Sequence, residues 1–433
     1  MTIGTLQTRT YPNGLRLVMD EMPGACSCTV NLCVASGLRY ERPERNGISH
    51  MMEHMLFKGT ARRSARRLAE EADDRGANMN AYTCKEYTCI YTRSLPEHLG
   101  DMLELLADMV SESLLAEKDL ETEKGVVLEE IAMYEDLPED LAFDIFYDLI
   151  WPDHLLGKNI LGTRETVRAI TPGDLRAHLA EFYAPERLVL AVCGKFDAEA
   201  LQGAVERLFG GLPSGGGEPL RPALLAPATF HAGVSFTAKP VEQNQMILAF
   251  PGCSGEDPWR YHATLLSTML GGATSSRLFQ RLREELGLVY SVEYFNVHHC
   301  VEGVSGVALA LSEKTQVKAL EEVLRILREF PATVTEQELK RAQEQAAAGM
   351  VMSLESGAAR ASRSAFHTLL YGEVTPMEES IRQYRAVTLE EIRDYAARTL
   401  HPEAFAFTVL GKCPKRAERA IREMLNADLC LKL

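Results

Sequence analysis

The stretch Met55-Leu56-Phe57-Lys58-Gly59-Thr60 returns 214 residues later as Met269-Leu270-Gly271-Gly272-Ala273-Thr274. At the same shift Arg63, Arg67, Leu68, Glu70 and Glu71 fall on Arg277, Arg281, Leu282, Glu284 and Glu285. A second block recurs near the end of each half. Thr171, Arg176, Pro185, Glu186, Val192, Gly194 and Lys195 correspond to Thr388, Arg393, Pro402, Glu403, Val409, Gly411 and Lys412, at a shift of 217. Identities that keep their order at both ends of a half mark a duplicated domain. The join falls within residues 210–229, where Gly, Ser and Pro accumulate; glycine and serine loosen the chain and proline blocks regular structure. The expected division is a first domain over 1–212, a linker over 213–229 and a second, homologous domain over 230–433.

Each half reads as mixed structure. Leu6 to Thr10 and Leu15 to Met19 alternate across a Pro12-Asn13-Gly14 turn, the pattern of a β-hairpin. Cys28 to Ala35 and Val189 to Cys193 are further apolar strands, the latter ending at Gly194. Amphipathic periodicity predicts helices near 47–58, 64–75, 96–113, 117–135 and 172–182. Strands, then helices, then strands again favour an α+β fold, two domains each with an antiparallel sheet packed by helices, over a doubly wound parallel sheet.

The composition is that of an ordinary globular chain of 433 residues, 46% hydrophobic and 25% charged, long enough to divide into several domains, each with its own core. No apolar run reaches the roughly 18 residues of a membrane span, and residues 1–14 lack the apolar core of a secretory signal. A net charge of −15 argues against a nucleic-acid partner, which calls for basic patches. Such a balance ordinarily serves solubility; turned toward an interior, it would also attract basic peptides. The ten cysteines are scattered, with no paired CxxC arrangement; they read as buried thiols in a reducing compartment, so the expected location is cytoplasmic.

The chemistry concentrates in His50-Met51-Met52-Glu53-His54. Residues four apart share a helix face, and His50 and His54 lie about 40° apart on the helical wheel. Ile48, Met51, Met52, Met55 and Leu56 fill the other side, so the helix would bury one face and present His50, Glu53 and His54 together on the opposite one. Asn46 is the expected N-cap. The order H-x-x-E-H is the inverted zincin pattern. Two imidazoles and a carboxylate can hold zinc and leave a position for water, and Glu53 has the chemistry of a base for that water. A helix through Glu121, Glu123, Glu129 and Glu130 offers the carboxylate. Glu123 and Glu130 stack seven apart on one face, one to ligate the metal and the other to orient a histidine. Spacing alone does not choose between Glu129 and Glu130, and a solvated acidic face is the plain alternative.

Gly47 to Thr60, with Asn80-Ala81-Tyr82-Thr83, Glu86 and Glu130 placed 76 residues beyond His54, resembles the pitrilysin (insulinase) family of metallopeptidases, in the two-domain subgroup of mitochondrial processing peptidase subunits and their bacterial relatives. The resemblance spans nearly the whole chain, duplication included. It implies one Zn2+ per chain on His50, His54 and Glu130, with Glu123 as the supporting acid and Glu53 as the base. It also implies a substrate strand at Asn80, Ala81, Tyr82 and Thr83. Arg283 and Tyr290 match the spacing of the family pair that binds peptide carbonyls and the forming oxyanion; read without the resemblance, they are a surface Arg and a core Tyr. His50, Glu53 and His54 fall on Thr264, Ser267 and Thr268 in the second half, so a single site is expected. Two-domain relatives pair around a chamber that admits unfolded peptides. A homodimer is expected here because this chain keeps both the zinc motif and the Arg283/Tyr290 pair; a heterodimer is the alternative arrangement. Zinc is preferred to manganese or cobalt from ligand type. The competing function is a catalytically inactive subunit for binding or assembly, a class that has generally lost its metal ligands. A nucleotide site at Gly271-Gly272-Ala273 lacks the Gly-Lys-Ser/Thr ending and reads better as a tight turn.

Overall fold

The structure, a computed structural model, describes residues 5–216, 225–400 and 405–429. The expected hairpin is present as β1 (Thr5–Thr10) and β2 (Arg16–Glu21), paired antiparallel. They join β3 (Cys28–Val34), β4 (Asn78–Thr83), β5 (Thr88–Ser94) and β6 (Leu188–Gly194) in a six-stranded sheet of order β1-β2-β6-β3-β5-β4. The second sheet contains β7 (Gly233–Thr237), β8 (Asn244–Gly252), β9 (Val289–His298), β10 (Gly303–Leu311) and β11 (Ala406–Leu410), ordered β7-β11-β8-β10-β9. Both sheets are antiparallel except for one parallel pair each, β2–β6 and β7–β11. The two orders superimpose strand for strand from that pair to the edge, which is the duplication seen in three dimensions.

The recurrent residues have recurrent jobs. Thr171 and Thr388 each cap a helix through a capping box, with Asp174 and Glu391 as the reciprocal partners, so each satisfies N–H groups that the first turn would leave unbonded. Gly194 ends β6 and Gly411 directly follows β11, each with φ near +140°, a backbone state that side chains disfavour.

The first sheet packs one face against helices through Leu17, Met19, Val30, Leu32, Ile90, Leu190 and Val192. The facing side chains include Met51, Met52, Met55 and Leu56 from the helix Ile48–Leu56. Burying each such side chain stabilises by about 1.5–3 kcal/mol. The sheet's other face is more polar. The helix Gly357–Tyr371 lies on β3 and β6, where Arg360 pairs with Asp20 and the Ser362 hydroxyl lies 2.9 Å from the Asn31 amide. The second sheet has its own helical core on one face. On the other it packs Ile247, Ala249 and Val304 with Phe146, Ile150 and Trp151, from the segment containing the helix Pro138–Ile150.

Compactness divides the chain less simply than linear order does. One unit comprises residues 1–132, 159–224 and 351–375, and the other 133–158, 225–350 and 376–433. Each half therefore lends a helix to the other unit. Of the stretch 213–229, residues 217–224 lie outside the described residues. Among the described residues no helix is long and apolar enough to cross a membrane.

Candidate metal centre

The helix Ile48–Leu56 is anchored at its start by a buried carboxylate. Glu41 accepts hydrogen bonds from the backbone N–H of Gly47 (2.8 Å) and Ser49 (2.9 Å) and from the Asn46 side chain (3.1 Å). Burial pushes the Glu41 carboxyl up, and those three donors pull against that rise. The expectation of Asn46 as N-cap is corrected here. Gly47 holds that position with φ of 94°, and the Asn46 amide instead bonds Glu41 and the Asn159 carbonyl. A carboxylate from a preceding turn satisfies the first N–H groups, which local spacing does not reveal.

Ile48, Met51, Met52, Met55 and Leu56 are buried, while His50, Glu53 and His54 are half-buried on the other face. The two imidazole centroids lie 4.6 Å apart. The helix Glu117–Asp136 brings Glu130 to them. Its Oε2 lies 3.8 Å from His50 Nε2 and 3.7 Å from His54 Nε2. Tetrahedral zinc with bonds of about 2.0–2.1 Å holds its donors about 3.4 Å apart, so the spacing suits one ion. Glu130 Oε2 is buried with no hydrogen-bond partner, an orphaned acceptor aimed at two ring nitrogens. Among the described residues His50, His54 and Glu130 are the one group of three donors close enough to share a metal. Burial, with His54 alongside, pushes His50 down to about 3. The ring is therefore neutral near pH 7 and available as a ligand; the short distances to Glu130 are a donor set and not an ion pair.

Glu123 stands behind His54. Its Oε2 lies 2.9 Å from His54 Nδ1 and its Oε1 lies 2.6 Å from Lys58 Nζ. Burial opposes ionisation of this carboxyl, but the Lys58 and His54 contacts outweigh it and hold the group below the usual carboxylate range. An anionic acceptor at Nδ1 keeps that proton in place and turns Nε2 outward as a lone-pair donor. His50 has no such support: its Nδ1 is buried without a hydrogen-bond partner. Glu129 is exposed, and among the described residues it joins no donor group. The fold places Glu130, and not Glu129, at the two histidines, with Glu123 behind one of them.

Glu53 completes the face. Its Oε2 accepts a hydrogen bond of 2.5 Å from the Thr83 hydroxyl. Burial raises the Glu53 carboxyl, the Thr83 bond and His54 oppose that, and Glu130 adds to it. Thr83 ends β4, the edge strand of its sheet. Asn80 is exposed on that strand, Ala81 packs on the core, and Tyr82 contacts Tyr87 and Tyr91. Glu86 is buried with Arg39 at 3.3 Å. Arg283 and Tyr290 belong to the other compact unit. Arg283 lies over the Phe279 ring within a π-helical segment, and Tyr290 is 68% exposed; it is not a core tyrosine. In the second half, the counterparts of the metal motif close on their own backbone. Thr264 and Thr268 donate to carbonyls one turn back, and Ser267 donates to the Tyr294 carbonyl. Sequence reasoning missed Glu41, the pairing of Lys58 with Glu123, and the Thr83 hydroxyl on Glu53. Only Lys58 left a local trace, four residues after His54.

Comparison with known proteins agrees with this geometry. Residues 16–164 match the model of Insulinase (Peptidase family M16), and residues 169–346 match that of the Peptidase M16 inactive domain. The chain belongs to the insulinase family, peptidase family M16. An uncharacterized zinc protease of Bacillus subtilis, YmxG, is 37% identical over 407 residues, covering 93% of this chain and 97% of that protein. A Streptomyces coelicolor protein, also described as an uncharacterized zinc protease, is 36% identical over 421 residues, or 95% and 89%. In fold the chain is similar to a Helicobacter pylori protease, with TM-score 0.87 at 19% identity over 94% of this chain and 100% of that one. A Pseudomonas fluorescens structure described as a peptidase M16 inactive domain gives TM-score 0.87 at 21% identity, over 95% and 99%. The match over residues 16–164 contains all three candidate ligands, and the inactive-domain match over 169–346 contains none of them. The chain is a zinc-protease-like protein with a His/His/Glu donor set.

Proposed function

We propose that this chain is a zinc-dependent endopeptidase acting on unfolded polypeptide segments. The observation that carries the reading is the convergence of His50 Nε2, His54 Nε2 and the partnerless Glu130 Oε2 beside a second carboxylate, Glu53, on the same helix face. Zinc bound there would acidify water and polarise a peptide carbonyl. The remaining work belongs to the chain. Glu53, close to the metal position yet outside the three-donor group, takes a proton from the attacking water and returns it to the leaving amine. Glu123 fixes the His54 ring. Peptide backbone adds along the β4 edge at Asn80, Ala81, Tyr82 and Thr83, gaining affinity from main-chain hydrogen bonds. Tyr290 and Arg283 donate to the oxyanion and to peptide carbonyls. The exposure of Tyr290 supports a contacting role. In this reading the first domain (1–212) is catalytic, the second (230–433) supplies the Arg283/Tyr290 pair, and two copies form the working chamber with one zinc each. The net charge of −15 favours basic peptides, and the cytoplasm is the proposed location.

The test is a peptide-library digest with wild type and Glu53→Gln, each with and without chelator. Cleavage by wild type alone, abolished by chelator, with zinc content equal in both proteins, is expected. Turnover by Glu53→Gln overturns the base assignment.

A further inference from the structure

Thr83 does something on this site beyond presenting backbone at a sheet edge. Along β4 the side chains alternate, and Met79 and Ala81 pack on the helical core. Thr83 shares their parity, so its side chain points to the layer holding the helix Ile48–Leu56. There its hydroxyl reaches Glu53 Oε2 at 2.5 Å. Opposite it in register stands Thr88, fully buried, whose hydroxyl lies 3.3 Å from that of Thr83 and 3.0 Å from the Ser36 carbonyl. Thr88 thus packs behind the Thr83 side chain; its own proton is on the Ser36 carbonyl, so it fills space there and leaves the Thr83 proton to Glu53. A hydroxyl has one proton to give, and here it goes to a single carboxylate oxygen, leaving Oε1 as the atom that can receive a proton.

We propose that Thr83 is the positioning residue of the general base: its hydroxyl, backed by Thr88, locks the Glu53 carboxylate in the orientation that faces the attacking water. The inference rests on the reading of Glu53 as base given above. A flexible glutamate between two imidazoles and a second carboxylate has several rotamers open to it, and misplacement of a catalytic group by about 1 Å can cost on the order of 100-fold in rate. The bond also ties chemistry to binding, because the strand that orients the base is the one proposed to pair with peptide.

The experiment uses the full-length, zinc-loaded protein and one fluorogenic peptide found in the library digest. Thr83→Val keeps the β-branched shape and removes the donor; Thr83→Ala removes it without a replacing methyl; Thr83→Ser keeps it. Zinc content, circular dichroism, kcat and KM are measured for each, beside wild type and Glu53→Gln. We expect kcat about 10- to 100-fold lower in Thr83→Val and Thr83→Ala, KM within about threefold of wild type, unchanged zinc content, and kcat restored to within about fivefold in Thr83→Ser. The inference is overturned if both hydroxyl-free variants keep kcat within threefold, if the loss falls on KM, or if Thr83→Ser is as impaired as Thr83→Val. Failure of the underlying reading is visible separately: an inactive wild type or an active Glu53→Gln removes the base, and the role of Thr83 goes with it.

Discussion

Glu123 holds two cationic or potentially cationic neighbours at once, His54 on one oxygen and Lys58 on the other. A buried carboxylate satisfied on both sides has one rotamer, and so does the ring it bonds. Removing its charge in Glu123→Gln should weaken zinc binding by about 10- to 100-fold, and Lys58→Met should weaken it less, since Lys58 acts only through Glu123. Chelator competition measures both; affinities equal to wild type would remove the support assigned to Glu123. Residue-level legibility followed distance along the chain. His50, Glu53 and His54 sit within a turn and a half of one helix, so their shared face was readable from spacing. Glu130 could not be told from Glu129 because neighbours on a helix differ only by rotation. That rotation is set by Leu120, Val127 and Ile131 seeking the core. Thr83 and Glu41 were invisible in their roles, since the tertiary fold alone brings them to the motif helix.

The motif helix is held as an element by its start. Gly47 adopts φ of +94°, and a Cβ there would come 2.4 Å from the Leu161 carbonyl oxygen. Gly47→Ala should therefore destabilise the protein by about 1–3 kcal/mol and weaken zinc binding by displacing His50; chemical denaturation and zinc titration of the variant measure both. The same helix is buttressed through Ser49, which contacts Ser36, whose hydroxyl meets His178 Nε2 at 2.8 Å. Burial, with Arg187 nearby, pushes His178 down to about 4 from 6.5. The folded state thus disfavours the protonated ring, and below pH 6.5 the unfolded chain binds the extra proton. Stability contributed by neutral His178 is complete above pH 6.5 and is lost as pH falls toward 4, by about 3 kcal/mol at 1.4 kcal/mol per unit. Denaturation of wild type and His178→Gln at pH 7 and pH 4 should show a steeper loss in wild type; parallel curves would contradict this. Element existence was largely readable: the predicted helices at 64–75 and 172–182 appear as Ala65–Asp73 and Pro172–Phe182. Element membership was not. Which unit the helices Pro138–Ile150 and Gly357–Tyr371 join depends on faces that meet across hundreds of residues, and no local period encodes that.

At the scale of the molecule, duplication gave two sheets of matching order and, among the described residues, one three-donor group, His50, His54 and Glu130. Thr264, Ser267 and Thr268 spend their hydroxyls on backbone carbonyls, so the second half retains a helix in that place and has lost its chemistry. If its Tyr290 serves the zinc site of a second copy, mixing Glu53→Gln with Tyr290→Phe should restore activity through mixed dimers, each with one intact site. A mixture no more active than the two variants apart would place Tyr290 in its own chain's site or outside catalysis. The expectations about catalysis and zinc affinity depend on one ion held by three side chains from two helices. Anomalous diffraction at the zinc edge on crystals of the zinc-loaded protein reads this directly. One peak per chain is expected, at about 2.0–2.2 Å from His50 Nε2, His54 Nε2 and a Glu130 oxygen. A peak held by other residues, or no peak at that position, would contradict it.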